Sequence, residues 1–498
     1  MKNSNRPIIL ILIFLTLSIV LGVRAQDAKL LTVNDNGDTH DANAGDGFCA
    51  DAAGRCTLRA ALEESGAAPL MDGVNFALGS FSTIDLTLGE LPVTSAVYIA
   101  GPGAQRLTVR RSPAPGTPNF RVFNFASNAG PLLTLRGMRI ENGNLPDGDG
   151  GAIYNSAGNT LALLELVVAN NSAARGGGIF TAGTVKASRT LIRGNTALAN
   201  GGGVYADPSG SVSFENSTLT ENSAAAGGAV YNAGSLLLVN ATISHNTAAN
   251  SGASLVGAGG ATSALLNTLV GPDDAPVSGS LAGAFTSYGS NLIADARNTT
   301  GLTNGVNNDQ VSLNNAIDPR LGPLSPNGGP TETRALLDGS PAIDHGNRCV
   351  YDGSCPSPIP LLPRLIVDQR GNSLRLAGTT VDVGAYEYAA SGFIAEIGFG
   401  GFENTNRSSG QLLLLTDAAD NVRTGRIANS LGGFRFDRLY YGGVYFLERR
   451  AKRANQRRGL LVLTTDGLPL FGREMPVGSI PEDGWRVILK DVKLKPAP

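Results

Sequence analysis

The chain has 498 residues, 16% of them charged, with a formal net charge of −2 and an apolar fraction of 42%. Nothing in that balance points to nucleic acid, which calls for a basic surface, and the apolar share excludes a disordered glycine linker despite 65 glycines. The length calls for more than one structural unit. In chain order, Met1 to Arg6 is a basic segment, Pro7 to Val23 is almost wholly apolar, and Val23-Arg24-Ala25 supplies small residues at the positions a signal peptidase reads. Residues 1–25 therefore read as a secretory signal peptide; a retained membrane anchor is the alternative. No transmembrane segment is expected in the mature chain.

Residues 26–90 carry Asp35, Asp38 and Asp41, oxygen ligands at short intervals. Asp147-Gly148-Asp149-Gly150 is similar. Both read either as Ca²⁺ sites or as plain Asx turns, since neither has the full ligand pattern of a calcium loop. The four cysteines fall into two close pairs, Cys49 with Cys56 and Cys349 with Cys355. In an exported protein such pairs read as local disulfides, each worth about 2–3 kcal/mol in the chain-entropy model.

From Leu91 to about Ile293 the chain repeats. Glycine-led segments begin at positions 150, 176, 201 and 227, a period of 25–26 residues. A second motif, ending in Asn followed by Ser or Thr, closes at Asn171, Asn195, Asn222 and Asn246. The glycine content forbids a helical repeat, and the Val, Ile, Leu and Thr runs bounded by Gly and Asn are strands and turns. Short strands in a repeat of this length make one coil of a parallel β-helix. About eight coils over this span, some 4.8 Å apart, give a solenoid of roughly 40 Å. Ile153, Ile179, Val204 and Val230 should form one inward ladder, and Val168, Ile192, Leu219 and Ile243 a second. The Asn row should stack amide on amide. Alternation then points Tyr154, Phe180, Tyr205 and Tyr231 outward in a stack, either as a structural stripe or as a surface for an extended glycan.

The ordered motifs also carry a resemblance. Cys56-Thr57-Leu58-Arg59-Ala60-Ala61-Leu62 resembles the CSLREA motif of a family of exported bacterial proteins, with Ala60 in place of the glutamate. The Gly-Gly-Ala-Ile coils are similar to repeats of polymorphic outer-membrane proteins, without their Phe-x-x-Asn companion. Within 294–390, Gly339-Ser340-Pro341-Ala342-Ile343-Asp344, Asp368-Gln369-Arg370-Gly371 and Val381-Asp382-Val383-Gly384-Ala385-Tyr386-Glu387 look like the choice-of-anchor Q domain. That likeness implies a region completing the solenoid of a surface protein. Residues 395–498 resemble a carboxypeptidase-regulatory-like β-sandwich, and their Arg449 to Arg458 stretch is basic. That stretch reads as a solvated hairpin or as a contact for anionic envelope polymers.

The chemistry is sparse. A glycoside hydrolase needs paired carboxylates, yet the coils from Gly150 to Gly260 hold only Glu165, Asp207, Glu215 and Glu221, with no second carboxylate stacked on Glu215 or Glu221. His245 aligns one coil after Glu221, either as an acid/base pair or as an exposed ladder contact. Glu165 and Arg189 align likewise. The expected fold is all-β: a right-handed parallel β-helix followed by a small β-sandwich-like domain. The expected function is that of a secreted, non-catalytic surface protein in adhesion or envelope structure, with envelope or extracellular glycans as partners and no nucleic acid. A polysaccharide lyase or hydrolase on the same scaffold is the alternative. The sequence names no oligomeric state.

Overall fold

The computed structural model describes residues 29–388, apart from 68–71, 128–129, 275–278, 315–316, 356–363, 372–374 and 376–378, and beyond these the strands lying between Phe393 and Pro496. The proposed signal peptide lies outside the described residues.

The central coils pass through four short strands. In one coil these are Ile153–Asn155, Thr160–Leu164, Val167–Ala169 and Ser172–Arg175. Each pairs in parallel with its equivalent in the next coil, giving, among the described residues, sheets of nine, ten, ten and five strands. We call them sheets I, II, III and IV in that order. Sheet II starts at Leu30–Val33 and sheet III ends at Gln310–Val311, so the stack extends beyond 91–293 at both ends. The outer coils escape a glycine-based reading because they lack the Gly-Gly landmark.

The ladders follow the register. Ile153, Ile179, Val204 and Val230 are Cα partners in sheet I and fully buried. Phe123 precedes them and Leu255 follows, so the degenerate coil at Ser251 keeps its core residue. Val168, Ile192, Leu219 and Ile243 form the second ladder in sheet III. Gly176 marks a turn that needs glycine: its φ is +60°, and a Cβ there would lie 2.3 Å from the Ile179 carbonyl oxygen.

The N-terminal end is closed by helix α1, Leu58–Gly66. Thr57 caps it, accepting from the Ala60 amide and donating to the Thr39 carbonyl. Ala60 stands at N3, where a glutamate would reach back to the cap in a capping box; this helix has only the Thr57 half. Leu58 is fully buried. Arg59 pairs with Asp38 at 2.8 Å, both side chains at most 4% exposed, and donates to the Gly89 and Glu90 carbonyls. The other Asp38 oxygen accepts from the Thr87 and Leu88 amides. One buried ion pair thus ties the segment around Asp38, the helix and the first coils together.

Thr299–Thr300 and Gln310–Val311 still add strands to sheets I and III, and the described residues between 318 and 388 form a strap that runs back along the outside of sheet III. Its hairpin, Leu321–Ser325 with Thr333–Leu336, lays Leu324 on Val167 and Leu191. Further on, Leu336, Ala342 and Val383 pack on Leu269 and Leu292. A short helix α2, Cys349–Asp352, carries the second disulfide, Cys349–Cys355, and packs on Val239 and Leu266. Both cysteine pairs are therefore local. Among the described residues, the C-terminal strands form two antiparallel sheets of three and five strands. Their first strand is Phe393–Phe402, and the basic stretch is a hairpin pairing Val444–Arg450 with Arg457–Leu463.

Two outcomes test this packing. Arg59→Met leaves Asp38 buried without its cation and should cost about 3–5 kcal/mol in chemical denaturation; an unchanged midpoint removes the staple. Ile179→Asp should abolish cooperative melting, whereas Ser211→Asp, on the exposed face, should stay within about 0.5 kcal/mol. Similar melting of the two variants contradicts the inward ladder.

Candidate functional site

The aromatic stripe is present. Tyr154, Phe180, Tyr205 and Tyr231 stack with centroids 5.2, 5.4 and 5.3 Å apart and planes within 5° of parallel. It lies outside the core, as alternation requires, yet Phe180 and Tyr205 are only 4% and 8% exposed. Arg175 lies over both rings, and Arg121 over Tyr154. The guanidiniums are held in turn: Arg175 by Asp149 at 2.7 Å and Arg121 by Glu90 at 3.5 Å. The inner ring faces cover one another, so a polymer lying on the stripe meets ring edges and hydroxyls rather than faces.

The acidic N-terminal residues do not converge. Asp35 accepts from the Gly37 amide and pairs with Arg55. Asp38 is consumed by Arg59. Asp41 accepts from the Asn43 and Ala50 amides. Among the described residues no group of three or more His, Cys, Asp or Glu side chains could hold a metal. Asp35, Asp38 and Asp41, the residues of the Ca²⁺ reading, are thus each bonded to protein donors. Asp149 is likewise committed, to Arg175.

Two of the central-coil acids are engaged in the same way. Glu165 sits between Arg189 at 2.7 Å and Arg136 at 3.0 Å. Burial alone would raise its pKa, but the two guanidiniums hold it below the ordinary value. Glu221 pairs with Arg334 of the strap hairpin at 2.8 Å. That arginine also lowers the pKa of His245, after burial, the larger cause. Glu221 and His245 are thus ladder neighbours, joined by a bond from the Glu221 amide to the His245 carbonyl, with a cation from the strap beside them. Glu215 is half-buried, and burial raises its pKa against the pull of Lys186.

Inside, the asparagine row forms a continuous amide ladder. The backbone amide and Nδ2 of Asn171 both donate to Asn195 Oδ1, those of Asn195 to Asn222 Oδ1, and those of Asn222 to Asn246 Oδ1, all at 2.9–3.1 Å. The residues just before them, Asn170, Gly194, Glu221 and His245, take φ between +55° and +60°. Asp273 ends the ladder, accepting from the Asn246 amide and the Ser254 hydroxyl. Burial raises its pKa to about 7. A second, shorter row repeats the design: Thr268 donates to Asn291 and Asn291 to Asp309.

Sequence reasoning missed what the strap motifs do together. Asp344, the Asp368–Arg370 stretch, Asp382 and Glu387 lie up to 43 residues apart in the chain, yet they converge around Arg375, which is fully buried. Arg375 donates to Asn216 Oδ1 of the solenoid at 2.7 Å. The motifs were visible in the sequence; Arg375 carried no signal beyond an arginine in an apolar stretch.

A family model described as a right-handed β-helix region matches residues 124–269, the span of the most regular coils. With the parallel sheets, it defines the class: an all-β, right-handed parallel β-helix repeat protein. No curated protein and no solved structure matches the chain.

Asp273 yields a test with a defined sign. A buried carboxyl with a raised pKa contributes stability that is complete below its ordinary value of 3.8 and is lost as pH rises through about 7. Asp273→Asn extends the amide ladder without a charge. It should melt above the wild type at pH 8.5, by about 2–4 kcal/mol of stability, and the advantage should shrink towards pH 4. A pH-independent difference contradicts the assignment.

Proposed function

We propose that this chain is an exported, non-catalytic surface protein whose solenoid acts as an adhesion or envelope scaffold. One observation carries the reading. Among the described residues, Glu165, Glu221 and Asp149 are bound to arginines and Asp273 is buried, which leaves half-buried Glu215 and Asp207 and exposed Asp147 as the singled-out acids open to a polymer. A hydrolase needs paired carboxylates at the substrate, and a lyase a carboxylate cluster holding Ca²⁺ beside a basic residue. The N-terminal signal pattern and the two disulfides fit export. An extended envelope or extracellular glycan is the ligand class that matches a surface repeating along one axis; it would meet the stripe through hydroxyls.

Incubation with a panel of acidic and neutral polysaccharides should release neither unsaturated nor reducing ends, and depolymerisation of any member would establish the enzyme alternative. The double variant Tyr205→Ser, Tyr231→Ser should lose on the order of 3 kcal/mol from lost stacking and burial. Adhesion per folded molecule should be unchanged if the stripe is structural. Lost adhesion with near-native melting would make it the binding surface.

A further inference from the structure

The charges buried beneath the strap do not balance. Asp368, Asp382 and Glu387 are each at most 1% exposed, and Arg375 is fully buried among them. Arg370 is the second cation, 2.7 Å from Asp368. Three carboxylates therefore meet two guanidiniums. Arg375 lies 3.6 Å from Glu387 and donates to the Asp382 and Gly384 carbonyls. Glu387 accepts from the Asp382 amide, and Asp368 from the Glu387 amide. Asp382 accepts from the amides of Asp344 and Tyr388.

Other groups facing the cluster do not restore the balance. Asp344 adds a half-buried carboxylate, bonded to the Thr379 and Thr380 amides. Tyr386 lies under Arg370 with its ring centroid 3.9 Å away, and the Tyr388 hydroxyl reaches Asp338. The solenoid contributes Asn216, Thr218 and Thr242, which do not ionise, and Arg189 beside Gly371, whose charge is matched by Glu165 at 2.7 Å. The chain between 356 and 363, 372 and 374, and 376 and 378 holds only Pro, Ser, Ile, Leu, Asn, Ala and Gly.

The same residues fasten the strap to the solenoid. Arg375 is bonded to Asn216, Gln369 accepts from the Thr218 hydroxyl at 2.6 Å, and the Ala385 amide donates to Thr242 at 2.9 Å. We propose that this cluster is a proton-linked clasp: it holds one proton when the strap is seated, so acidification tightens the strap on the solenoid and alkalinisation loosens it. A buried net charge is costly, and one shared proton removes it. Burial, opposed by the Asp344 and Tyr388 amides and by Arg375, raises Asp382 to about 7. In the released strap that carboxyl returns to its ordinary range, so the closed state binds the proton more tightly and loses stability as pH rises through 7. Release would uncover Leu269 and Leu292 on the outside of sheet III.

Amide hydrogen exchange of the full chain, corrected for intrinsic rates, at pH 6 and pH 8.5 tests the clasp. Strap peptides from 364 to 388 should open about tenfold more at pH 8.5, while peptides spanning 179–206 should not change. Asp382→Asn should remove the pH dependence, and Glu387→Gln, which deletes one charge of the same cluster, provides an independent route to that result. Asp273→Asn, in the solenoid ladder, should leave the strap's dependence intact. A wild-type strap that opens equally at both pH values overturns the proposal. So does a dependence that survives Asp382→Asn and Glu387→Gln, or one abolished by Asp273→Asn alone.

Discussion

Parallel pairing of each coil with the next is the constraint from which the rest of the structure follows. Backbone bonds between coils hold the register through sheets I and III, so each residue there sits beside its counterpart one repeat away. Whatever chemistry occupies a position is multiplied along the axis. Aliphatic residues become core ladders, rings become a stack, and acids next to bases become ion pairs. The buried asparagines are the demanding case. An isolated buried amide would be costly, but in register each one completes the hydrogen bonds of its predecessor. Such a ladder has to end, and here it ends on Asp273, a carboxyl that accepts bonds from Asn246 and Ser254.

A stack of this kind has two open ends and long exposed faces. Helix α1 and the Asp38–Arg59 pair close the N-terminal end. The strap covers the outside of sheet III, turning Val167, Leu191, Leu269 and Leu292 from surface residues into a second layer of core. It does so partly through buried charge. That is an expensive way to attach one layer to another, since paired charges seldom outcompete apolar contacts, and it makes the attachment responsive to protons.

The solenoid was legible because its period is: four Gly-Gly landmarks and four Asn turns fixed the ladders of Ile153, Val168 and Asn171 to the residue. The local disulfides were legible from spacing. The coils around Leu30, Asp72 and Gln310 lack those landmarks and are defined only by pairing with neighbours. Burial of Phe180 and Tyr205 could not be read from alternation, because it depends on Arg175 arriving from another sheet. The spacing of the turn aspartates showed their oxygens but not Arg55, Arg59 and the backbone amides that bond to them. The strap cluster was hidden for a similar reason: its members are separated in sequence, and their partner Asn216 belongs to a coil more than 150 residues upstream.

The claim on which all of this rests is that neighbouring coils complete each other's buried polar bonds. Residue-resolved amide exchange on Asn222→Ala tests it most directly. In the wild type, the Asn195 backbone amide, 3.1 Å from Asn222 Oδ1, should exchange only through global unfolding. Removing the Asn222 side chain should speed that amide by orders of magnitude, while the Asn171 amide, whose acceptor is Asn195, should stay protected. An Asn195 amide that exchanges equally slowly in both proteins would contradict the ladder, and with it the register of the whole solenoid.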